Sequence, residues 1–358
     1  MGHVRRRDDR WEARWRLPNG RERSRRFDRK VDARRFLDQQ AASQVEGLWS
    51  DPVNGRTTLD AWWQQWWPTV HNLRPSSRAR DESYYRNHIA PKWGTRQLAS
   101  ISHHEVSQWV GELVDKGLAP GSVGKVFQTL SKAMKAAVRA RLISQHPCHD
   151  VPLPRVPRRE MRFLDVAELQ SLASAMDPRF ESLVLTMGYC GLRVGEAVAL
   201  EWDSVDLNRQ MLQVTRSLAE VRGEVVLGEP KTAAGRRSVP MPGLLVERLG
   251  QIERSEGRLW TAPEGGPIRV PSWRQRFWQP AVRSAGCHPL RIHDLRHTAV
   301  SLWINAGANV KAVATWAGHT SVATVIDRYG HLMDPGGVEV FGQLDEMARG
   351  VIEGRAFS

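Results

Sequence analysis

Apolar and polar positions change their period several times along the chain, and each change marks a predicted unit. The first run alternates: WEARWRL and RERSRRF flank Pro18-Asn19-Gly20, and Asn-Gly between strand-like runs predicts a hairpin. Spacing then turns helical from Asp28 to Glu46, with Val31, Phe36, Leu37 and Val45 available to cover the sheet. Three short strands and one helix make a small unit over residues 1–50. DPVNGRT (51–57) reads as a linker.

From 57 to 150 the pattern is helical throughout. Thr57-Thr58-Leu59-Asp60 matches a helix start before a tryptophan-rich helix, Ala61 to Trp67. Further helices are predicted over Ser76–His88, His103–Lys116 and Ser122–Ala140, the last opened by Ala119-Pro120-Gly121. Four tryptophans (Trp62, Trp63, Trp66, Trp67) tempt one toward base stacking, but helical spacing makes at least two of them core. Val151 to Glu160, with three prolines and three arginines, reads as an extended basic connector over 151–160. A second globular region, 161–358, begins at Phe163-Leu164-Asp165, where Asp165 and Glu168 suit a helix N-terminus. It carries a strand-rich insert from Leu212 to Val239 between helices. After Gly336-Gly337, Val338, Phe341, Leu344, Met347 and Val351 recur at helical spacing, a stripe fit to dock on a neighbouring protomer or on its own domain. The expected fold class is α+β, mostly helical.

Charge narrows the function. The 358 residues carry a formal +13 and a pI near 10.3, which favours a polyanionic partner. Eight lysines among 52 basic residues leave arginine dominant, the side chain whose flat fork pairs two-pronged with phosphate. Residues 1–50 alone hold fourteen Lys+Arg against eight Asp+Glu, so their sheet suits either DNA or a solvated surface. Cys148, Cys190 and Cys287 form no CxxC pair, which argues against a disulfide framework. The most apolar stretch, Leu183 to Leu200, contains Arg193 and Glu196 and is no membrane span. The N-terminus lacks a signal-peptide core. A soluble, cytoplasmic protein with no membrane partner is expected.

Six polar residues between 190 and 330 then stand out: Arg193 in CGLRVGEAVAL, Lys231 in KTAAGRRSVP, His293 and Arg296 in HDLRHT, His319 after Gly318, and Tyr329 in DRYGH. Cleaving a phosphodiester without a metal needs fixed cations facing the non-bridging oxygens, an acid for the leaving oxygen and a nucleophile. Two arginines with histidine N–H groups, a lysine and a tyrosine phenol supply residue types of the right kind. His293 and Arg296, at i and i+3, share a helical face. Taken singly, each has a plainer reading. Glu196 with Arg193 reads as a structural ion pair. His293 and His297 at i, i+4 resemble a zinc pair but lack a third ligand, and His146-Pro147-Cys148-His149 has no matching partner, so no metal and no cofactor are expected.

Taken in order, Arg193, Lys231, His293-x-x-Arg296, His319 and Tyr329 resemble the active-site set of the tyrosine recombinase (phage integrase) family, and AGHTSVATVIDRYGHL resembles its C-terminal signature. The resemblance is strong over 163–333, weaker over the helical region, and at 1–50 is similar to the small arm-type DNA-binding domain of many phage integrases. Ala317 stands where leucine is frequent, and Gly195 where serine is common. The resemblance implies a SAM-like core-binding domain over 57–150 and a mixed α/β catalytic domain over 161–358. By the same resemblance, Tyr329 would attack the scissile phosphate to leave a 3′-phosphotyrosine and a free 5′-hydroxyl, and Arg193 and Arg296 would clamp the phosphate. Lys231 would protonate the leaving oxygen, His293 would manage the tyrosine proton or bond the phosphate, and His319 would donate to a non-bridging oxygen. Implied partners are double-stranded DNA at core and arm-type sites, a homotetramer passing through a Holliday junction, and accessory DNA-bending or directionality proteins. A type IB topoisomerase shares the chemistry, and a non-catalytic DNA-binding protein on the same fold would not need the nucleophile.

Overall fold

The computed structural model describes residues 2–16, 20, 22–45, 56–157, 161–230, 232–254, 257–333 and the isolated positions 344, 346 and 349. The chain divides into two compact units, Met1–Arg158 and Arg159–Ser358.

The first unit opens with an antiparallel sheet of β1 (His3–Arg7), β2 (Arg10–Arg16) and β3 (Glu22–Phe27), in the order β1-β2-β3. Trp11 pairs with Phe27 and Trp15 with Arg23, so β2 and β3 form the hairpin predicted around Asn-Gly; Pro18 and Asn19 themselves lie outside the described residues. Helix α1 (Lys30–Val45) covers one face through Ala33 and Phe36. Phe36 meets Trp15 and Phe27 at ring-centroid distances of 5.0 and 5.3 Å. Val31, expected on this interface, is exposed instead, because Ala33, Phe36 and Leu37 form the covering stripe and Val31 falls off it. The side chain of Val45 lies outside the described residues. Strand alternation leaves Arg5, Arg7, Arg10, Arg14, Arg16 and Arg26 on the open face, around a buried Glu12 that accepts from Arg5 at 2.6 Å.

The helical region comprises α2 (Leu59–Trp66), α3 (Pro75–Tyr84), α4 (Ala90–Trp93), α5 (His103–Asp115) and α6 (Pro120–Arg139). Thr58 caps α2 by accepting from the Ala61 amide, as its sequence predicts. Trp62, Trp63 and Trp67 are buried and Trp66 is half-buried. They are packing residues: Trp63 stacks on Tyr85 at 3.8 Å, and Trp62 Nε1 donates to the Ala133 carbonyl at 2.9 Å. The helix predicted to stop at His88 runs on to Trp93, because a π turn (Tyr85–Ile89) joins α3 to α4. That turn ends two residues before Pro91, and its wider winding relieves the clash of a proline ring with the preceding turn. A second π turn, Arg274–Trp278, stands in the same relation to Pro280.

The second unit starts with α7 (Val166–Ser174), whose Asp165 and Glu168 form the expected capping box. Next come α8 (Pro178–Cys190) and the single turn α9 (Val194–Ala197). The insert holds β4 (Val205–Asp206), β5 (Met211–Val214) and β8 (Arg237–Pro240) in one antiparallel sheet, while β6 (Ser217–Val221) and β7 (Glu224–Gly228) make a separate hairpin. Helices α10 (Gly243–Gly250), α11 (Val270–Trp273), α12 (Gln279–Ser284), α13 (Asp294–Asn305), α14 (Val310–Ala317) and α15 (Ala323–Tyr329) accompany the insert. One large core joins α7, α8, α10 and α12 to the sheet, and a smaller cluster gathers Val300, Val313, Ala317 and Val325 around Tyr329. Apart from Leu344, the apolar stripe of Val338 to Val351 lies outside the described residues. Among the described residues no helix is long and apolar enough to cross a membrane.

Candidate active site

Four segments far apart in sequence meet around the ends of α8, α9, α13 and α14. Arg193 stands at the start of α9, where its Nη1 donates to Glu196 Oε1 at 2.6 Å and its backbone N–H to Glu196 Oε2 at 3.0 Å. Glu196 is 2% exposed. Burial would raise its carboxyl, but the Arg237 guanidinium beside it overrides that, and the net shift is downward. Arg237 Nη2 donates to Glu196 Oε2 at 2.9 Å from a side chain that is itself 2% exposed. Gly195 lets α9 approach the β6 hairpin: a Cβ there would come within 2.6 Å of the Leu218 carbonyl oxygen. A side chain at this position, serine included, has no room here.

Arg296, on the first turn of α13, is buried and donates to the Gly191 carbonyl at 2.7 Å and to the Ala317 carbonyl. Arg237 donates from Nε to the Trp316 carbonyl at 2.5 Å and from Nη1 to the Gly235 carbonyl at 3.0 Å. Two guanidinium groups thus satisfy carbonyls at the C-terminal end of α14, which the helix itself leaves unpaired. Gly318 closes that helix at φ +61°, a left-handed position where a Cβ would meet the Ala234 carbonyl oxygen at 2.8 Å. This turn delivers His319. Burial and the neighbouring Arg193 and Arg237 push Arg296 down to about 9, still cationic at neutral pH.

His319 is half-buried, and its Nε2 is sealed from solvent with no hydrogen-bond partner among the described residues. Desolvation, then the charges of Arg296 and Arg193, push it down to about 4. Such a ring nitrogen among arginines, when it carries the imidazole proton, is a donor awaiting an oxygen. His293, at the N-terminal end of α13, is shifted down by desolvation and by Arg296 and Arg193. Lys231 lies outside the described residues, between Pro230 and Thr232.

Tyr329 ends α15 and is 1% exposed. Burial pushes its phenol up, against a smaller opposing effect of Arg296. Its Oη lies 2.6 Å from His297 Nδ1. Of the six residues singled out in the sequence, Arg193, His293, Arg296, His319 and Tyr329 act electrostatically on one another here. Two participants escaped the sequence reading. His297 stood next to Arg296 but read as half of an incomplete zinc pair, and Arg237 lay unremarked in KTAAGRRSVP, the segment quoted for Lys231. Among the described residues no group of three or more His, Cys, Asp or Glu gathers as a metal site.

Residues 162–335 match the phage integrase family, and residues 58–114 match the phage integrase N-terminal SAM-like domain. The chain belongs to the tyrosine recombinase (phage integrase) family. Among its relatives, the ICEBs1 integrase of Bacillus subtilis is 27% identical over 307 residues, spanning 78% of this chain and 83% of that protein. The putative prophage phiRv2 integrase of Mycobacterium tuberculosis is 24% identical over 353 residues, covering 95% of this chain and 93% of its own length. The fold is shared with the Tn1549 transposon integrase in complex with a circular intermediate DNA, at a TM-score of 0.67 and 18% identity over 82% of this chain and 99% of that one. It is also shared with a lambda integrase dimer bound to a core site, at a TM-score of 0.58 and 16% identity over 94% and 95%. The architecture is therefore that of a tyrosine recombinase: a small N-terminal sheet with a helix, a helical core-binding region and a mixed α/β catalytic domain.

Proposed function

We propose that this protein is a site-specific DNA recombinase of the integrase type, which cleaves and rejoins strands through a covalent 3′-phosphotyrosine. One observation carries the reading: donors of Arg193, Arg296 and His319 gather in one electrostatic neighbourhood with the Tyr329 phenol, and His319 Nε2 has no partner among the described residues. A tetrahedral array of phosphate oxygens would supply it. In the reaction, Tyr329 Oη bonds to phosphorus while the bond to the 5′-oxygen breaks. Arg193 and Arg296 neutralise the charge on the non-bridging oxygens, His319 donates to one of them, His293 takes the phenol's proton or bonds the phosphate, and Lys231 gives a proton to the leaving oxygen. The energy of the broken bond stays in the phosphotyrosine, so the cycle calls for neither a nucleotide nor a metal. Integration or excision of a mobile element is favoured by the relatives, which are integrases of a prophage and of ICEBs1. Assembly as a tetramer on a Holliday junction, the state in which lambda integrase has been solved, fits the same reading. The open sheet face with its six arginines is suited to the phosphates of an arm-type site.

The test is covalent trapping on a nicked suicide substrate carrying the element's own attachment core, found as direct repeats flanking the gene. Wild type is expected to give a denaturation-resistant protein–DNA band, in EDTA as well, and Tyr329→Phe none. Tight binding of that DNA with no band from wild type would mean a DNA-binding protein on this fold.

A further inference from the structure

A phenol that must attack a phosphodiester has to reach the DNA, yet Tyr329 is 1% exposed. It sits in the cluster of Val300, Val313 and Val325, with the Phe163 ring 6.3 Å away, and its hydroxyl meets His297 Nδ1 at 2.6 Å. His297 is 6% exposed and comes from α13, one residue beyond the buried Arg296, so its place is fixed by the same helix that builds the anion site. The element carrying the tyrosine is held far more lightly. Only Val325 and Tyr329 of α15 are buried, while Ile326 is 52% exposed and Val322, just before the helix, 39%. Among the described residues, then, α15 is held to the rest of the unit by the Tyr329–His297 hydrogen bond and two buried side chains, which belong to the smaller cluster and not to the large core.

We propose that His297 is a positioning residue that latches Tyr329: it accepts the phenol's hydrogen bond at Nδ1 and shelters the hydroxyl inside the α13–α14–α15 cluster until DNA binding draws α15 outward. With the phenol as donor, the neutral imidazole carries its own proton on Nε2. The consequence for cleavage rests on Tyr329 being the nucleophile, but the sheltering does not, and it is measurable without DNA.

The chain has four tyrosines, and Tyr84 and Tyr189 are half-buried, so they serve as internal references. Nitration of the full-length protein by tetranitromethane, mapped by peptide mass spectrometry, is expected to modify Tyr329 about ten-fold more slowly than Tyr84 or Tyr189, the factor that a buried, hydrogen-bonded group implies. His297→Phe, which fills the space without an acceptor, is expected to remove most of that protection. His297→Asn places an amide oxygen near the Nδ1 position and is expected to restore it. On the suicide substrate, His297→Phe is expected to capture DNA at least as fast as wild type. Nitration of wild-type Tyr329 as fast as the reference tyrosines would overturn the latch, whether or not the variants fold. Equal protection in wild type and a folded His297→Phe would overturn it too. Capture slowed about a hundred-fold in His297→Phe and not rescued by Asn would mean that His297 takes the phenol's proton in the reaction instead. Intact protection with no capture by any form would refute the recombinase reading alone.

Discussion

Glu196 binds the candidate site to the core, and its neutralisation tests that arrangement. Its carboxylate accepts from the Arg193 amide at 3.0 Å, from Arg193 Nη1 at 2.6 Å and from Arg237 Nη2 at 2.9 Å. The Arg237 pair is sealed, with both side chains 2% exposed, whereas the Arg193 side chain is 33% exposed and screened. Glu196→Gln keeps the volume and one acceptor but leaves the Arg237 guanidinium buried without a counter-charge. Breaking a buried pair from one side costs about 3–5 kcal/mol, and the retained amide oxygen places this variant near the lower end, about 3 kcal/mol. At an m-value of about 2 kcal/mol/M, the urea midpoint of the catalytic unit should fall by about 1.5 M. Arg193 would lose its anchor as well, so covalent capture should slow about a hundred-fold, the scale of an ångström-sized misplacement. Glu196→Leu with Arg237→Met removes both charges. It should recover most of the stability, because an apolar pair of similar volume is tolerated where a lone charge is not, while capture stays slow. A midpoint shift below about 0.5 M for Glu196→Gln, equivalent to 1 kcal/mol, would refute the reasoning, as would a double variant that regains cleavage but not stability.

Acid should weaken the fold through His297. Burial, then the charge of His293, pushes it down to about 4, against an ordinary value near 6.5. Between those values the unfolded chain holds the extra proton, so stability is full above about pH 6.5 and falls as pH drops toward 4, by about 2 kcal/mol at pH 5. That equals about 4–8 °C in Tm for a unit of this size, and an unchanged acid slope in His297→Asn would contradict it. His319→Ala should cut the rate of covalent capture by about 10²–10³ while DNA affinity in a filter or gel assay stays near wild type, since its orphaned Nε2 serves a charge that develops only during reaction. A variant that binds poorly but reacts normally once saturated would count against that role. Trp93→Ala empties a fully buried site that packs edge-on to Trp109 at 5.9 Å, and should cost about 3–5 kcal/mol in urea unfolding of the helical region. A cost under 1 kcal/mol would contradict the packing role of this pair.

Local chemistry carried most of the fold into the sequence. The Asn-Gly hairpin, the Thr58 cap and the Asp165–Glu168 box are decided by residues within four positions of one another, and they are legible for that reason. The end set at His88 fell short, because the chain runs on through Pro91 by a π turn whose winding has no marker in periodicity. In the site, the residue types and their order were legible. What they touch was not: Arg237 meets Trp316 across 79 positions and His297 meets Tyr329 across 32. A histidine three positions from a leucine-rich helix face and a histidine holding a phenol look alike until the second partner is placed beside the first.

The two arginines that hold the carbonyls of Trp316 and Ala317 set a division of labour. Their partners are main-chain atoms, so these two side chains are set when the polypeptide folds and do not wait for a ligand to organise them. On the proposed reading, commitment to cut would be left to α15, which is lightly attached. Affinity for a site and the decision to break it would then be separately adjustable, and drift in α15 would alter timing while recognition stays constant. For a recombinase of the proposed kind, sitting on DNA without nicking it until its partners arrive, that separation would be a safeguard written into the order of assembly.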